Sequence, residues 1–303
     1  MDVAVLTSPA AGRGRARALS AAVPGLLREA GLTPRVLDAC TRPDAERQAT
    51  AAVAGGAAAV LAVGGDGAAH AALQAVAGTT TPLAVVPAGT GNDLALALGV
   101  PADPAAAVRA AAADLLAGRS RSVDAGRSAD RWWATVLCCG FDSAVTDRAN
   151  RLRWPPGRRR YDIAVLTELA RLRPYEVTLS LDGEERTLPA TMVAVGNTAW
   201  YGGGLRICPA ADPADGLFDV TVVGATTRRE LVRTKPRLAD GSHVDHPLVT
   251  VHRAARVELA CAGVTTYADG EPVAPLPVVS ECVPGALRVV GAAPSRTRPG
   301  PPR

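Results

Sequence analysis

Two glycine-rich turns, each closing an apolar run, constrain this chain more than any other feature. Ala57–Val63 runs into Gly64-Gly65-Asp66-Gly67, and Pro82–Val86 runs into Pro87-Ala88-Gly89-Thr90-Gly91-Asn92-Asp93-Leu94-Ala95. Glycine tolerates φ > 0 and lets backbone N–H groups come close to a ligand. A glycine turn that opens a helix is a natural cradle for phosphate, because the helix N-terminus presents free N–H groups and partial positive charge. An acidic residue between glycines at a strand end is costly unless something offsets its charge. Asp66 therefore points to a cation, either a metal–nucleotide complex or an arginine. Asn92 or Asp93 is placed to cap the helix that follows the second turn. Together the turns imply a nucleotide held between them.

The flanking pattern fits such a site. Val3–Thr7, Pro34–Leu37, Ala57–Val63 and Pro82–Val86 read as strands. Arg15–Ala30, Pro43–Val53, Ala68–Val76 and Asp103–Leu116 read as helices, with Gly31 and Gly118 as stops. Near-continuous apolar strands alternating with helices predict a doubly wound α/β domain with a parallel sheet covered on both faces. Ligands of such sheets lie beyond the carboxyl ends of the strands, where both glycine turns fall.

The character changes after Asp124. Trp132–Cys138, Tyr175–Leu181, Arg186–Val195, Phe218–Val223, Val249–Leu259 and Val264–Tyr267 read as strands, and Asp182-Gly183 as a hairpin turn. Asp142–Leu152 and Tyr161–Leu172 read as helices. The expected organisation is an α/β domain over residues 1–124, an antiparallel β-sandwich over 125–291, and a disordered Pro/Arg-rich tail over 292–303.

The 303 residues are 48% apolar and 20% charged, a globular composition, and Lys235 is the only lysine. The net charge of +4 fits anionic ligands or an anionic membrane surface and shows neither. The six cysteines lack metal-ligand spacing and read as reduced, buried thiols. Cys138 and Cys139, adjacent on a strand, should face opposite sides. No apolar run is long enough to span a bilayer, and Met1-Asp2 opens without a cationic leader, so the cytoplasm is the expected location. Asp219, alternating with Phe218 and Val220, reads as solvated. Gly-Lys-Ser/Thr does not follow either turn, and Gly12-Arg13-Gly14 lacks the third glycine of a dinucleotide fingerprint.

Read together, the motifs resemble the diacylglycerol kinase catalytic-domain superfamily of lipid kinases. Ser8-Pro9-Ala10-Ala11-Gly12 is similar to its opening Asn-Pro-x-x-Gly loop. Gly64–Gly67 resembles its Gly-Gly-Asp-Gly loop, and Gly89–Ala95 its Gly-Thr-x-Asn-Asp-x-Ala loop. Val123-Asp124, Gly140-Phe141-Asp142, Gly202-Gly203-Gly204-Leu205, Pro209, Asp215–Val220 and Asp269-Gly270-Glu271 resemble later segments in the same order. The resemblance covers the chain to about Val290.

That resemblance implies an ATP- and Mg²⁺-dependent kinase acting on diacylglycerol or a sphingoid-like lipid, with its active site in the interdomain cleft. ATP would be lined by Ser8, Pro9, Ala10, Ala11 and Gly12, by Thr41, by Gly64, Gly65, Asp66, Gly67, Ala68 and His70, and by Gly89, Thr90, Gly91, Asn92, Asp93 and Asp124. Asp66, Asp93, Asp124 and Asp215 would form a carboxylate network around Mg²⁺. Asp212, Asp215 and the backbone oxygen of Leu217 would hold a metal in the second domain. Asp269 and Glu271 would take the proton from the lipid hydroxyl, with Asp66 as a third catalytic carboxylate. Phosphoryl transfer needs such positioning, charge neutralisation and a base.

The implied partners are a lipid substrate and the inner membrane face, with no nucleic acid; a homodimer is left open. Arg151, Arg153 and Arg158–Arg160 around Trp154 read equally as an anionic-lipid patch or a solvated helix connection. Ser8, Ala68 and Ala71 stand where the family usually carries Asn, Thr and Glu. The hydroxyl missing at Ala68 is worth about 1 kcal/mol as a hydrogen bond. Two other readings stay open: an NAD kinase, which shares the Gly-Gly-Asp-Gly turn and the two-domain plan, and a catalytically silent lipid- or nucleotide-binding member.

Overall fold

A computed structural model of the chain describes residues 1–7, 15–152, 154–155 and 158–292. The chain forms two units, one of Met1–Val123 with the segment from Gly285, the other of Asp124–Pro284.

In the first unit, strands β1 (Asp2–Thr7), β2 (Thr33–Leu37), β3 (Ala59–Gly64) and β4 (Leu83–Pro87) alternate with helices α1 (Arg15–Glu29), α2 (Arg42–Ala54), α3 (Asp66–Val76), α4 (Asp93–Ala97) and α5 (Pro104–Leu116). The strands pair in parallel in the order β2-β1-β3-β4. β3 and β4 are buried along their whole length, which is why they read as unbroken apolar runs. Val23 and Leu27 of α1 and Val108, Ala111 and Leu115 of α5 pack on Val3, Val5, Leu61, Val63 and Val86. α2 and α3 pack together on the opposite face through buried alanines, including Ala49, Ala52, Ala69 and Ala72. The α5 start is fixed by Asp103, whose carboxylate accepts from Ala106 N at 2.8 Å.

In the second unit, β5 (Arg121–Ser128) enters from the first. It is followed by β6 (Arg131–Trp133), β7 (Val136–Gly140), α6 (Phe141–Arg151), α7 (Arg158–Ala170), β8 (Tyr175–Leu181), β9 (Glu184–Gly196), β10 (Trp200–Tyr201) and β11 (Leu205–Arg206). Next come β12 (Phe218–Gly224), α8 (Arg228–Thr234), β13 (Val249–Ala254), β14 (Arg256–Ala260), β15 (Thr265–Ala268), β16 (Glu271–Pro275) and β17 (Val278–Val290). Pairing is antiparallel, and β9 is long enough to pair with β8 along its first half and with β7 and β12 along its second. The sandwich core gathers Leu137, Leu179, Val193, Val220 and Leu259 around Trp133 and Phe218, which stack at 4.9 Å. Gly126 lies opposite Trp133 across β5 and β6, and a Cβ there would sit 2.1 Å from the indole. Cys139 belongs to this core while Cys138 faces a second cluster under α6 and α7, as alternation requires.

Several expectations need correction. Trp132–Cys138 is two strands, because the chain breaks at Ala134-Thr135. Val249–Leu259 is also two strands, broken at Ala255. Both breaks are held by aspartates of distant hairpin turns, which local periodicity does not encode. β17 was not among the expected strands; it runs through Pro284-Gly285, where Gly285 takes φ +63. Residues 285–291 therefore belong with the first unit, where Val289 and Val290 pair in parallel with Leu83 and Ala84. Cys40 is exposed and Cys261 half-buried, so only four of the six free thiols are buried. Most of the 292–303 tail lies outside the described residues.

Candidate active site

The two glycine turns meet backbone to backbone. A Cβ at Gly89 would fall 2.3 Å from Gly65 Cα, and one at Gly91 would fall 2.4 Å from Asp66 Oδ2. Ala88 N donates to Gly64 O at 2.8 Å. Asp66 opens α3, and its carboxylate reaches across to the second turn: Oδ1 accepts from Asp93 N at 2.7 Å and Oδ2 from Asn92 N at 2.9 Å. Asp66 thus caps α4 from another element. Asn92, at φ +61, makes no capping bond of its own; its amide ties back to Gly89, accepting from its N–H at 2.9 Å and donating to its carbonyl at 3.0 Å. Two backbone donors thus meet the charge of Asp66 from the second turn.

This clamp has a measurable consequence. Asp66→Ala strips two partly buried N–H groups of their acceptor and lowers stability by about 2–4 kcal/mol, combining a lost cap with an unsatisfied donor. Asp66→Asn keeps one acceptor and loses roughly half as much. Chemical denaturation of the full chain checks the ranking; equal stability of Ala and wild type would remove the clamp.

The other first-unit positions are more varied. Thr41 is exposed and caps α2, accepting from Asp44 N at 3.3 Å. His70 is buried on α3 beside Gln74, with Nε2 3.3 Å from the Gln74 amide nitrogen. Ala68 and Ala71 are both buried on α3; at 1% exposure Ala71 leaves no room for a solvated acid. Thr90 is exposed, and Gly67 and Asp93 complete the two turns. Ser8, Pro9, Ala10, Ala11 and Gly12 lie outside the described residues.

In the second unit Asp124 is 4% exposed and tied to the 212–217 turn. Its N–H donates to Pro213 O at 2.7 Å, and its Oδ2 accepts from Gly216 N at 2.8 Å. The Asn197 amide donates at 2.9 Å to both Asp124 O and Ala134 O. Within the turn, Asp212 accepts from Ala214 N, and Asp215 Oδ1 accepts from Leu217 N, both at 3.1 Å. The second oxygen of Asp215 pairs with Arg253. Among the described residues no three His, Cys, Asp or Glu side chains converge as metal ligands. A divalent ion at Asp212, Asp215 and the Leu217 oxygen would share Asp215 with that guanidinium. Asp219, expected to be solvated, is 2% exposed and paired with Arg253 at 3.1 Å, because β12 is flanked by both β9 and β13.

Asp269 and Glu271 sit on the β15–β16 hairpin, where Asp269 at φ +54 and Gly270 at φ +81 make the turn. Asp269 accepts from Ala134 N at 3.1 Å, from Thr135 N at 2.9 Å and from the Thr135 hydroxyl at 2.5 Å. Asp182, in the Asp182-Gly183 turn, does the same at the other strand break: its Oδ1 accepts from Ala255 N at 3.1 Å and Arg256 N at 2.8 Å. Nearby, the Tyr267 hydroxyl donates to Asp147 at 2.7 Å, and burial pushes its pKa up to about 12. Asp142, in the first turn of α6, is pushed up to about 6 by burial, against the opposing hydrogen bond of Tyr201. Asn197, Arg253, Thr135 and Tyr267 were not anticipated. A buried Asn-Thr pair directly after the apolar end of β9 was the one signal that could have flagged Asn197.

Comparison with known proteins places this geometry in context. Residues 2–128 match the model described as the diacylglycerol kinase catalytic domain, and residues 135–291 match the YegS C-terminal NAD kinase beta sandwich-like domain. The chain is 43% identical to a Mycobacterium tuberculosis protein named diacylglycerol kinase, covering 95% of this chain and 94% of that one. It is 32% identical to a Pseudomonas aeruginosa protein named “Probable lipid kinase YegS-like”, covering 99% and 97%. Among solved structures, a diacylglycerol kinase from Bacillus anthracis shares the fold at TM-score 0.72 and 18% identity, with 97% of each chain covered. An NAD kinase from Archaeoglobus fulgidus, solved in complex with ATP, is more distant, at TM-score 0.56 and 13% identity over 95% of this chain and 93% of that one. The chain belongs to the diacylglycerol kinase catalytic-domain family, together with the YegS-like lipid kinases, and is a kinase of that family.

Proposed function

We propose that the chain transfers the γ-phosphoryl group of MgATP to a hydroxyl of diacylglycerol or a sphingoid-like lipid. One observation carries the reading: two glycine turns at the carboxyl ends of β3 and β4, locked together by Asp66 and closed so tightly that no Cβ fits at Gly89. Their surface is backbone rather than side chain, which suits the oxygens of a polyphosphate, and the start of α3 adds the partial positive charge of a helix N-terminus. The distant NAD kinase solved with ATP supports the choice of nucleotide, and the curated relatives support a lipid acceptor.

Transfer forms a bond from the lipid oxygen to the γ-phosphorus and breaks the bond from that phosphorus to the β–γ bridging oxygen, leaving ADP. The hydroxyl proton passes to the Glu271 carboxylate and then to solvent. Glu271 is assigned this task because Asp269 is engaged by three donors of the 134–135 break, the same job that Asp182 does at a plain turn. Asp66 and Asp269 then act as positioning groups. The lipid surface would be met by α6 and α7. Trp154 is 78% exposed, Leu166 and Ile163 are exposed on α7, and Arg151 and Arg160 are close in sequence. Exposed apolar side chains with arginines near them in sequence suit an anionic interface.

The test is a transfer assay on the purified full chain, with labelled ATP and a panel of diacylglycerols, sphingoid bases and NAD. The lipids are presented in vesicles with and without anionic lipid. Label in the lipid extract, stronger on anionic vesicles, is the expected result. Label in NAD alone selects the NAD kinase reading. No label anywhere, with ATP binding intact, overturns the assignment.

A further inference from the structure

Arg253 is the centre of an ion-pair arrangement that the phosphoryl-transfer chemistry does not use. β13 places it directly opposite Asp219 of β12. Its Nε donates to Asp219 Oδ1 at 3.1 Å, and its Nη2 donates to Asp215 Oδ2. The Asp219 side chain is only 2% exposed, so the guanidinium cannot leave it without abandoning a buried charge. The contact with Asp215 is therefore made by an anchored cation. The planar guanidinium offers separate donors to two carboxylates at once, which a lysine ammonium cannot match in geometry.

Asp215 in turn orders the 212–217 turn. Its other oxygen accepts from Leu217 N, the neighbouring Gly216 N–H donates to Asp124 Oδ2, and Asp124 N donates to Pro213 O. The connected path runs from Arg253 through the turn to the Asp124 carboxylate. A divalent ion at Asp215 would place two positive charges beside a third, in competition for the same oxygen.

We propose that Arg253 is a built-in cation that orders the 212–217 turn in place of a divalent metal, and that it positions Asp124 through Gly216. The second unit of this chain is then independent of metal, and any Mg²⁺ requirement of the enzyme comes from the nucleotide.

Thermal unfolding and amide exchange at Gly216, measured on the full chain without nucleotide or lipid, test this separately from the kinase reading. The wild-type midpoint and Gly216 exchange should be the same in EDTA and in millimolar Mg²⁺. Arg253→Gln should lower the midpoint by about 6–20 °C, the range for breaking a buried pair in a domain of this size. It should also speed Gly216 exchange and create a new stabilisation by Mg²⁺, since the freed carboxylates now form a hard-cation site. That response should vanish in Arg253→Gln with Asp215→Asn. If Arg253→Gln does not fold, Asp215→Asn alone should speed Gly216 exchange equally in EDTA and Mg²⁺. Stabilisation of the wild type by Mg²⁺ that Asp215→Asn abolishes would overturn the proposal. So would unchanged Gly216 exchange in whichever variant folds.

Discussion

Gly89→Ala should destabilise the first unit by at least about 3 kcal/mol, the upper end of overpacking costs, and take phosphoryl transfer to background. The new Cβ would lie 2.3 Å from Gly65 Cα and 3.0 Å from Gly65 N. Both are backbone atoms, so no side chain can rotate away and one turn must move. Either movement breaks the alignment of Asp66 with the Asn92 and Asp93 N–H groups. Gly65→Ala meets the same contact from the other side at 3.1 Å, tight but tolerable with a small shift. Its cost should stay near about 1 kcal/mol. Tryptophan fluorescence would miss this contrast, because Trp132, Trp133, Trp154 and Trp200 all lie in the second unit. Hydrogen exchange of the β3 and β4 amides reads it directly. Equal protection in the two variants would show that the turns yield more easily than their geometry indicates.

Glu271→Gln should act chiefly on the rate, lowering kcat by about 10²–10⁴, the usual range for losing a general base. Asp269→Asn should show the opposite balance. The amide keeps one acceptor but turns a donor toward either the Ala134 or the Thr135 N–H, costing about 1–3 kcal/mol of stability. Asp182→Asn offers a control, since its carboxylate holds the same kind of strand break at Ala255-Arg256. Midpoints and initial rates for the three variants separate the roles. A thermally intact Asp269→Asn with a rate as low as Glu271→Gln would return the base to Asp269.

How much of this was legible in the chain depends on the range of the interactions. β3, β4 and their glycine turns were readable because strands buried on both faces carry their own apolar signature and the turns follow directly. The Asp269-Gly270 and Asp182-Gly183 hairpins were readable for the same local reason. What their carboxylates hold was not, since Ala134 and Ala255 are distant in sequence. Asp66 is the sharpest case. Sequence reasoning read only its charge, and the structure adds two amide donors from a residue pair 26 and 27 positions away. Asp219 looked solvated because alternation with Phe218 and Val220 ordinarily means one wet face. Strand pairing on both sides, and an arginine exactly across from it in β13, decided otherwise.

The long strand β17 carries a consequence for biogenesis. Its final residues, Val289 and Val290, pair with Leu83 and Ala84, and Ala286 O accepts from Gly78 N at 2.7 Å. A ribosome that has finished the glycine turns still has some 200 residues to make before β4 gains this neighbour. Through that interval the nascent sheet presents an open, apolar edge of the kind that recruits foreign strands. The first unit is thus begun first and completed last, when the end of β17 reaches β4.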